Sequence, residues 1–135
     1  TPYPFRFLRY RGKSATEVRD ALARLRIPGL HFQIKRTQTK SGTEIEGVYV
    51  HVTDWKRLRP TEVSFHMMQL TAAWEPGNNF AAIKRVELFN KHVGSSAWWN
   101  EISTRDHRAR VTPFLNQWSR QAQDFQQKFR RYWLY

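Results

Sequence analysis

Apolar and polar positions alternate most regularly from Val48 to Thr53: Val48, Val50 and Val52 share one face of an extended chain, and Tyr49, His51 and Thr53 share the other. β-Branched residues suit a pleated, half-buried surface, so this run predicts a strand with an apolar back and a polar front. Leu30, Phe32 and Ile34 alternate in the same way with His31, Gln33 and Lys35, and Lys40-Ser41-Gly42-Thr43 supplies turn residues between the two runs. The expectation is a β-hairpin. Its wet face gathers His31, Gln33, Lys35, Tyr49, His51 and Thr53, while the valines and Phe32 pack against helices. A weaker alternation with arginine, from Phe5 to Tyr10, predicts an edge strand.

Elsewhere the period is helical. Ser14-Ala15-Thr16-Glu17 has the capping-box spacing, and Val18, Ala21, Leu22 and Leu25 follow on one face before Ile27-Pro28-Gly29, which predicts a helix over 15–26. After Pro60, Thr61 is placed to cap a helix with Val63, Met67, Leu70 and Trp74 on one side, ended by Pro76-Gly77-Asn78-Asn79. The adjacent Met67 and Met68 continue that buried stripe, which is a simpler account of them than a soft binding surface. A helical piece over 82–91 follows, and Gly94-Ser95-Ser96 breaks it and caps another over 97–102. Trp98 and Trp99 diverge by about 100° on a helix, so one of them should be less buried. For the last helix Thr112 is the expected N-cap, with Pro113 at the first helical position and Val111 as a staple. Its stripe is Phe114, Trp118, Ala122, Phe125, Phe129 and Tyr132. Arg130 and Arg131 suit the negative pole of the helix dipole without any ligand. These elements predict an α+β fold, a β-hairpin or small antiparallel sheet packed against about four to five helices, in a single domain over residues 1–135.

Composition narrows the classes. At 135 residues, 40% hydrophobic and 15% aromatic, the chain can build its own core and is not a disordered segment. No apolar run approaches the roughly 18 residues of a membrane span, and nothing at the N-terminus has the order of a signal peptide. The abrupt opening at Thr1-Pro2-Tyr3-Pro4-Phe5 raises the expectation of a piece excised from a longer protein, in which case an export signal would lie upstream. Without cysteine there is no disulfide framework, thiolate metal site or Cys nucleophile. A formal net charge of +12 draws anionic partners: nucleic acid, acidic polymers, membrane surfaces or an acidic neighbouring domain.

Candidate chemistry is sparse. His31, His51, His66, His92 and His107 form no pair at i, i+4 spacing, and neither a glycine-rich phosphate loop nor a Gly-x-Ser-x-Gly elbow is present, so no metal or cofactor is expected. Glu44 and Glu46 would share a strand face about 7 Å apart, near the separation glycosidases use. Next to a hairpin tip, however, solvation keeps both ionised, whereas a general acid needs burial. His51 with Asp54 has the parts to orient an imidazole, yet no nucleophile is placed beside them, and no catalytic residue is assigned. A basic surface interleaved with aromatics also serves single-stranded nucleic acid binders. Here the helix stripes consume most aromatics and no helix-turn-helix, KH or RNP signature is readable, which ranks nucleic acid low among the partners.

Several segments carry a resemblance. They are Thr1 with Pro4-Phe5, Leu-Arg-Ile-Pro-Gly-Leu-His-Phe over residues 25–32, Gly47-Val48-Tyr49-Val50-His51-Val52-Thr53-Asp54 followed by Leu58-Arg59-Pro60, Phe89 to Ser95, and Phe125 with Arg131-Tyr132-Trp133-Leu134-Tyr135. In this order, over nearly the whole chain, they resemble the C-terminal domain of the NamZ-type exo-β-N-acetylmuramidases, a family of peptidoglycan-recycling glycosidases. Glu44-Ile45-Glu46 departs from it, standing where relatives often have a Cys-containing segment. The resemblance implies a bacterial, periplasmic or secreted parent that removes N-acetylmuramic acid from the non-reducing end of wall fragments. It implies catalytic carboxylates on a Rossmann-like N-terminal domain, which is this chain's expected partner together with peptidoglycan fragments. The chain alone would then be an inactive auxiliary domain. Its expected contribution is the wet face around Tyr49, His51, Thr53 and Asp54, against the catalytic domain or the glycan. Arg59 either meets the lactyl carboxylate of muramic acid or stitches the following loop. The alternative is a non-enzymatic basic module that binds an anionic polymer, wall glycan or nucleic acid.

Overall fold

A computed structural model of the chain describes residues 6–75, 77 and 80–132. In order come β1 (Phe7–Leu8), α1 (Ala15–Arg24), β2 (Leu30–Gln38), β3 (Glu44–Val52), α2 (Pro60–Trp74), α3 (Val86–Val93), α4 (Ser96–Arg105) and α5 (Thr112–Phe129). Short 3-10 turns occupy Asp106–Arg108 and Arg130–Tyr132. Among the described residues a three-stranded antiparallel sheet and five helices make the fold α+β, as the periodicities require. The chain divides into two compact units that part between Val63 and Ser64.

In the first unit β3 lies between its partners, in the order β1-β3-β2. The hairpin register sets Leu30 opposite Val52, Phe32 opposite Val50 and Ile34 opposite Val48, so the apolar residues of both strands share one face. Helix α1 covers it, and Ala15, Val18, Leu22, Ile27, Phe32 and Val48 are buried together there. From the Phe5–Tyr10 alternation only Phe7 and Leu8 pair, with Tyr49 and Val48; Phe5 lies outside the described residues.

The start of α1 is the capping box its sequence spells. The Glu17 backbone N–H donates to Ser14 Oγ at 3.2 Å, and the Ser14 backbone N–H donates to Glu17 Oε2 at 2.9 Å. The Ser14 backbone N–H first, then the Ser14 hydroxyl and Lys13, hold the Glu17 carboxyl below its ordinary pKa. A depressed folded pKa contributes stability that is present above the unfolded pKa and is lost as pH falls through the folded one. Glu17→Gln should therefore melt below the parent chain at neutral pH, with the gap closing on acidification. Thermal melts across an acid pH series check this, and a gap that persists at the acid end contradicts it. The helix stops at Arg24, two residues short of the expected end. Leu25 is its C-cap and Arg26 turns left-handed at φ 50°.

The second unit is built on aromatic stacking. Phe65, Ala72, Trp98, Ile102, Ala109 and Val111 are buried, with Met68, Phe80, Phe89, Val93, Phe114, Leu115 and Trp118 packed around them. Trp98 stacks on Phe65 at 4.2 Å with the planes 11° apart, meets Phe114 edge-on at 5.4 Å, and directs its indole N–H at the Met68 sulfur at 3.1 Å. Trp99 is half-buried, its ring 5.2 Å from Phe89. One indole inside and its neighbour partly out is the outcome expected of adjacent helical positions.

The expectations for helices α2 to α5 need correction. The buried residues of α2 are Phe65 and Ala72, with Met68 beside them, whereas Val63, Met67, Leu70 and Trp74 are only half-buried. The helix is apolar on most sides, and the Phe65–Trp98 stack sets its rotation. It begins at Pro60, so Thr61 lies inside the first turn, and the Arg59 carbonyl accepts the first N–H groups, from Glu62 and Val63. Of the stop signal Pro76-Gly77-Asn78-Asn79, only Gly77 lies within the described residues. Helix α3 starts at Val86, four residues late, because residues 80–82 form a turn. It ends at Gly94 (φ 76°), and Ser95 Oγ then caps α4 on the Trp98 N–H at 3.0 Å; α4 continues to Arg105. In α5 Thr112 is the first helical residue, and Val111, already helical in φ and ψ, occupies the cap position and offers no side-chain hydrogen bond. Of the expected α5 stripe, Phe114 and Trp118 pack on the core, with Leu115 beside them, whereas Ala122, Phe125 and Tyr132 are exposed and Phe129 is half-buried.

Candidate functional site

The polar face of the hairpin forms as its alternation demands. His31 stands opposite His51, Gln33 opposite Tyr49 and Lys35 opposite Gly47. The Tyr49 and His51 rings meet edge to face at 4.5 Å, the Lys35 ammonium sits 4.4 Å from the centre of the Tyr49 ring, and the His31 ring lies 6.1 Å from that of His51. His51 Nε2 is hydrogen-bonded to Gln33 Oε1 at 2.9 Å. At the end of this face Gly47 is covered by Phe7 and Arg9: a Cβ there would lie 2.7 Å from the Phe7 ring and from Arg9 Cγ. The face thus combines rings set at steep angles to one another, one imidazole–amide hydrogen bond and one cation.

The turn after β3 behaves differently. Asp54 Oδ1 accepts the backbone N–H groups of Lys56 (2.9 Å) and Arg57 (3.3 Å), and the Asp54 carbonyl accepts that of Leu58 at 3.1 Å. Asp54 thus holds its own turn, and at His51 Nε2 the hydrogen-bond partner is Gln33. Thr53 and Arg59 are exposed at the two ends of this turn, and the Arg59 carbonyl starts the α2 ladder. Of the five residues singled out from the sequence, Tyr49 and His51 are in direct ring contact, while Thr53, Asp54 and Arg59 belong to the following segment.

Sequence reasoning passed over Trp55. Its indole is 67% exposed, and the Arg6 guanidinium sits 5.6 Å from its ring centre. The signal was available: a tryptophan between Asp54 and Lys56, in a turn with no apolar stripe to join. The pair Glu44 and Glu46 is exposed, and Glu46 Oε2 is taken up by Arg36 Nε at 3.1 Å across the hairpin. That ion pair is a structural use for the carboxylate. Among the described residues no group of three or more His, Cys, Asp or Glu is placed to hold a metal ion, and no helix is long and apolar enough to cross a membrane.

Comparison with known proteins agrees with the motifs. The family model described as exo-beta-N-acetylmuramidase NamZ, C-terminal, matches residues 1–135. A solved structure of a DUF1343 family protein from Bacteroides fragilis superposes with a TM-score of 0.76 at 25% identity, over 98% of this chain and 35% of its own. No match was found among curated proteins. The chain therefore spans about a third of that solved relative. With the family model covering every residue, the chain belongs to the exo-beta-N-acetylmuramidase NamZ family and is its C-terminal domain.

Proposed function

We propose that this chain is the auxiliary C-terminal domain of a hydrolase that releases N-acetylmuramic acid from the non-reducing end of peptidoglycan fragments. The catalytic carboxylates lie on a Rossmann-like N-terminal domain of the same polypeptide, and this chain alone is inactive. It contributes one wall of the substrate cleft. The observation that carries this role is the ordered, partly exposed Tyr49–His51–Gln33–Lys35 face, on the side of the sheet opposite the one that packs on α1. Sugar rings bind through such alternation of ring faces and hydrogen-bonding groups, and the Arg59 guanidinium supplies the charge-assisted contact for the lactyl carboxylate.

Kinetics of the full-length enzyme test this. A lost hydrogen bond to a charged group costs about 1.5–3 kcal/mol. Arg59→Ala should therefore lower kcat/KM on an aryl β-glycoside of N-acetylmuramic acid by about 10- to 100-fold, mainly through KM. The glucosamine analogue without the lactyl group should be hydrolysed no worse than by the parent enzyme. His51→Ala should weaken both substrates. Unchanged kinetics in both variants would remove the site, and hydrolysis by the 135-residue chain alone would remove the auxiliary role. The net charge of +12 and the exposed Trp55–Arg6 pair favour the second reading, a binding module for an anionic polymer. Affinity for DNA that falls steeply with salt, with none for muropeptides, would select it.

A further inference from the structure

The apolar stripe of α5 outlasts the core it starts on. Phe114 and Trp118 close around Phe65 and Trp98, but one turn further the same stripe emerges into solvent, with Phe125 58% and Tyr132 60% exposed. These rings are ordered against one another: Phe125 and Phe129 lie 4.4 Å apart and Phe129 and Tyr132 6.1 Å apart. Lys128 stands 5.6 Å from the centre of the Phe129 ring, and the Arg131 guanidinium 4.9 Å from that of Tyr132. Over residues 119–132 the helix carries Arg120, Lys128, Arg130 and Arg131 against one carboxylate, Asp124.

We infer that the Phe125–Phe129–Tyr132 stripe is the docking surface for a companion domain of the same polypeptide, which meets it with an apolar trough rimmed by carboxylates. This rests on the proposal above that the chain is part of a longer hydrolase. Three facts choose this occupant. The solved relative aligns with this chain over only 35% of its length, so a protein of this family carries further chain to cover the stripe. The stripe is small: aromatic side chains bury about 150–250 Å² each, so the exposed parts of three rings offer on the order of 300 Å². A stable bimolecular interface needs about 800 Å² per partner. A tethered partner needs less, because linkage raises its effective concentration to the millimolar range. Finally, a second copy would bring the same excess of cations onto itself, within chains that each carry a net charge of +12.

Hydrogen exchange followed by mass spectrometry, on the full-length polypeptide and on the 135-residue chain in parallel, tests the inference without using activity. Amides of residues 119–132 should exchange at least tenfold more slowly in the full-length protein. Phe125→Ser with Tyr132→Ser should abolish that difference, and Phe125→Leu should keep it. In the 135-residue chain the double variant should leave the melting temperature unchanged, which separates lost docking from lost folding. Equal exchange in the two proteins, or protection that survives the double variant, overturns the assignment. So does Phe125-dependent dimerisation of the 135-residue chain by light scattering, which would make the occupant a second copy. Phe125-dependent binding of the full-length protein to vesicles of phosphatidylglycerol and phosphatidylcholine also overturns it, in favour of a lipid surface. If the full-length protein shows the docking but hydrolyses no muramic acid glycoside, the functional proposal fails and the interface stands.

Discussion

Trp98→Ala is expected to destabilise the second unit by about 3–5 kcal/mol, the range for deleting a buried tryptophan or phenylalanine side chain. The upper half of that range is indicated because Trp98 is the largest fully buried side chain among the described residues and is held by two other helices, α2 and α5. It stacks on Phe65 of α2, meets Phe114 of α5 edge-on, and directs its N–H at Met68. The neighbours that could close a cavity are themselves large and ring-shaped, so collapse is poor and the cavity part of the cost remains. Against the 5–15 kcal/mol that holds a typical domain folded, such a loss leaves little margin. Trp98→Phe retains an aromatic stack on Phe65 and should cost clearly less. Urea unfolding of both variants, followed by far-UV circular dichroism, measures the difference. A loss below about 1 kcal/mol for Trp98→Ala would mean that the stack does not hold this unit together.

What the sequence made legible, and what it concealed, divides along the same physical line. Alternation in β2 and β3 specifies the faces of the hairpin, because a one-residue slip would expose every valine, and the register obeys it. The Ser14–Glu17 box is equally local and equally well read. Helix α2 was not, since Val63, Phe65, Met67, Met68, Leu70, Ala72 and Trp74 surround it with apolar residues and periodicity alone cannot choose a face. In α5 the stripe was correctly placed on one side, but a stripe does not reveal how far its partner extends, and the partner within this chain ends near Trp118. Asp54 shows a third limit. Its pairing with His51 looked available in sequence, but an Asp side chain finds the N–H groups two and three residues ahead before any distant imidazole, and Lys56 and Arg57 take it. The ring contacts of Tyr49 and His51 followed from the strand pattern, whereas Trp55 belonged to no pattern and was missed.

Gly29→Ala should be the most damaging small substitution in the first unit, with an expected cost of about 2–4 kcal/mol. Gly29 has φ 76°, a left-handed conformation that by itself costs an L-residue about 1–2 kcal/mol. A Cβ at that position would also run into the backbone carbonyl oxygen of Asp54, and it would lie 3.2 Å from the Leu58 nitrogen. Backbone cannot step aside as a side-chain tip can. Relief would have to break the hydrogen bonds that the Gly29 carbonyl accepts from Thr53 at 2.8 Å and Asp54 at 3.4 Å, each contributing about 0.5–1.5 kcal/mol. Gly42 is the internal control: its φ is 80°, but a Cβ there would meet nothing within 4 Å. Gly42→Ala should therefore show only the conformational cost, about 1–2 kcal/mol, and the excess at Gly29 isolates the overlap with the Asp54 turn. Because that turn presents Trp55 and leads to Arg59, amide exchange at Lys56 and Arg57 should accelerate in Gly29→Ala and remain unchanged in Gly42→Ala. Equal destabilisation by the two substitutions would show that the start of β2 does not lean on the Asp54 carbonyl, and would detach the turn from the strand that is supposed to position it.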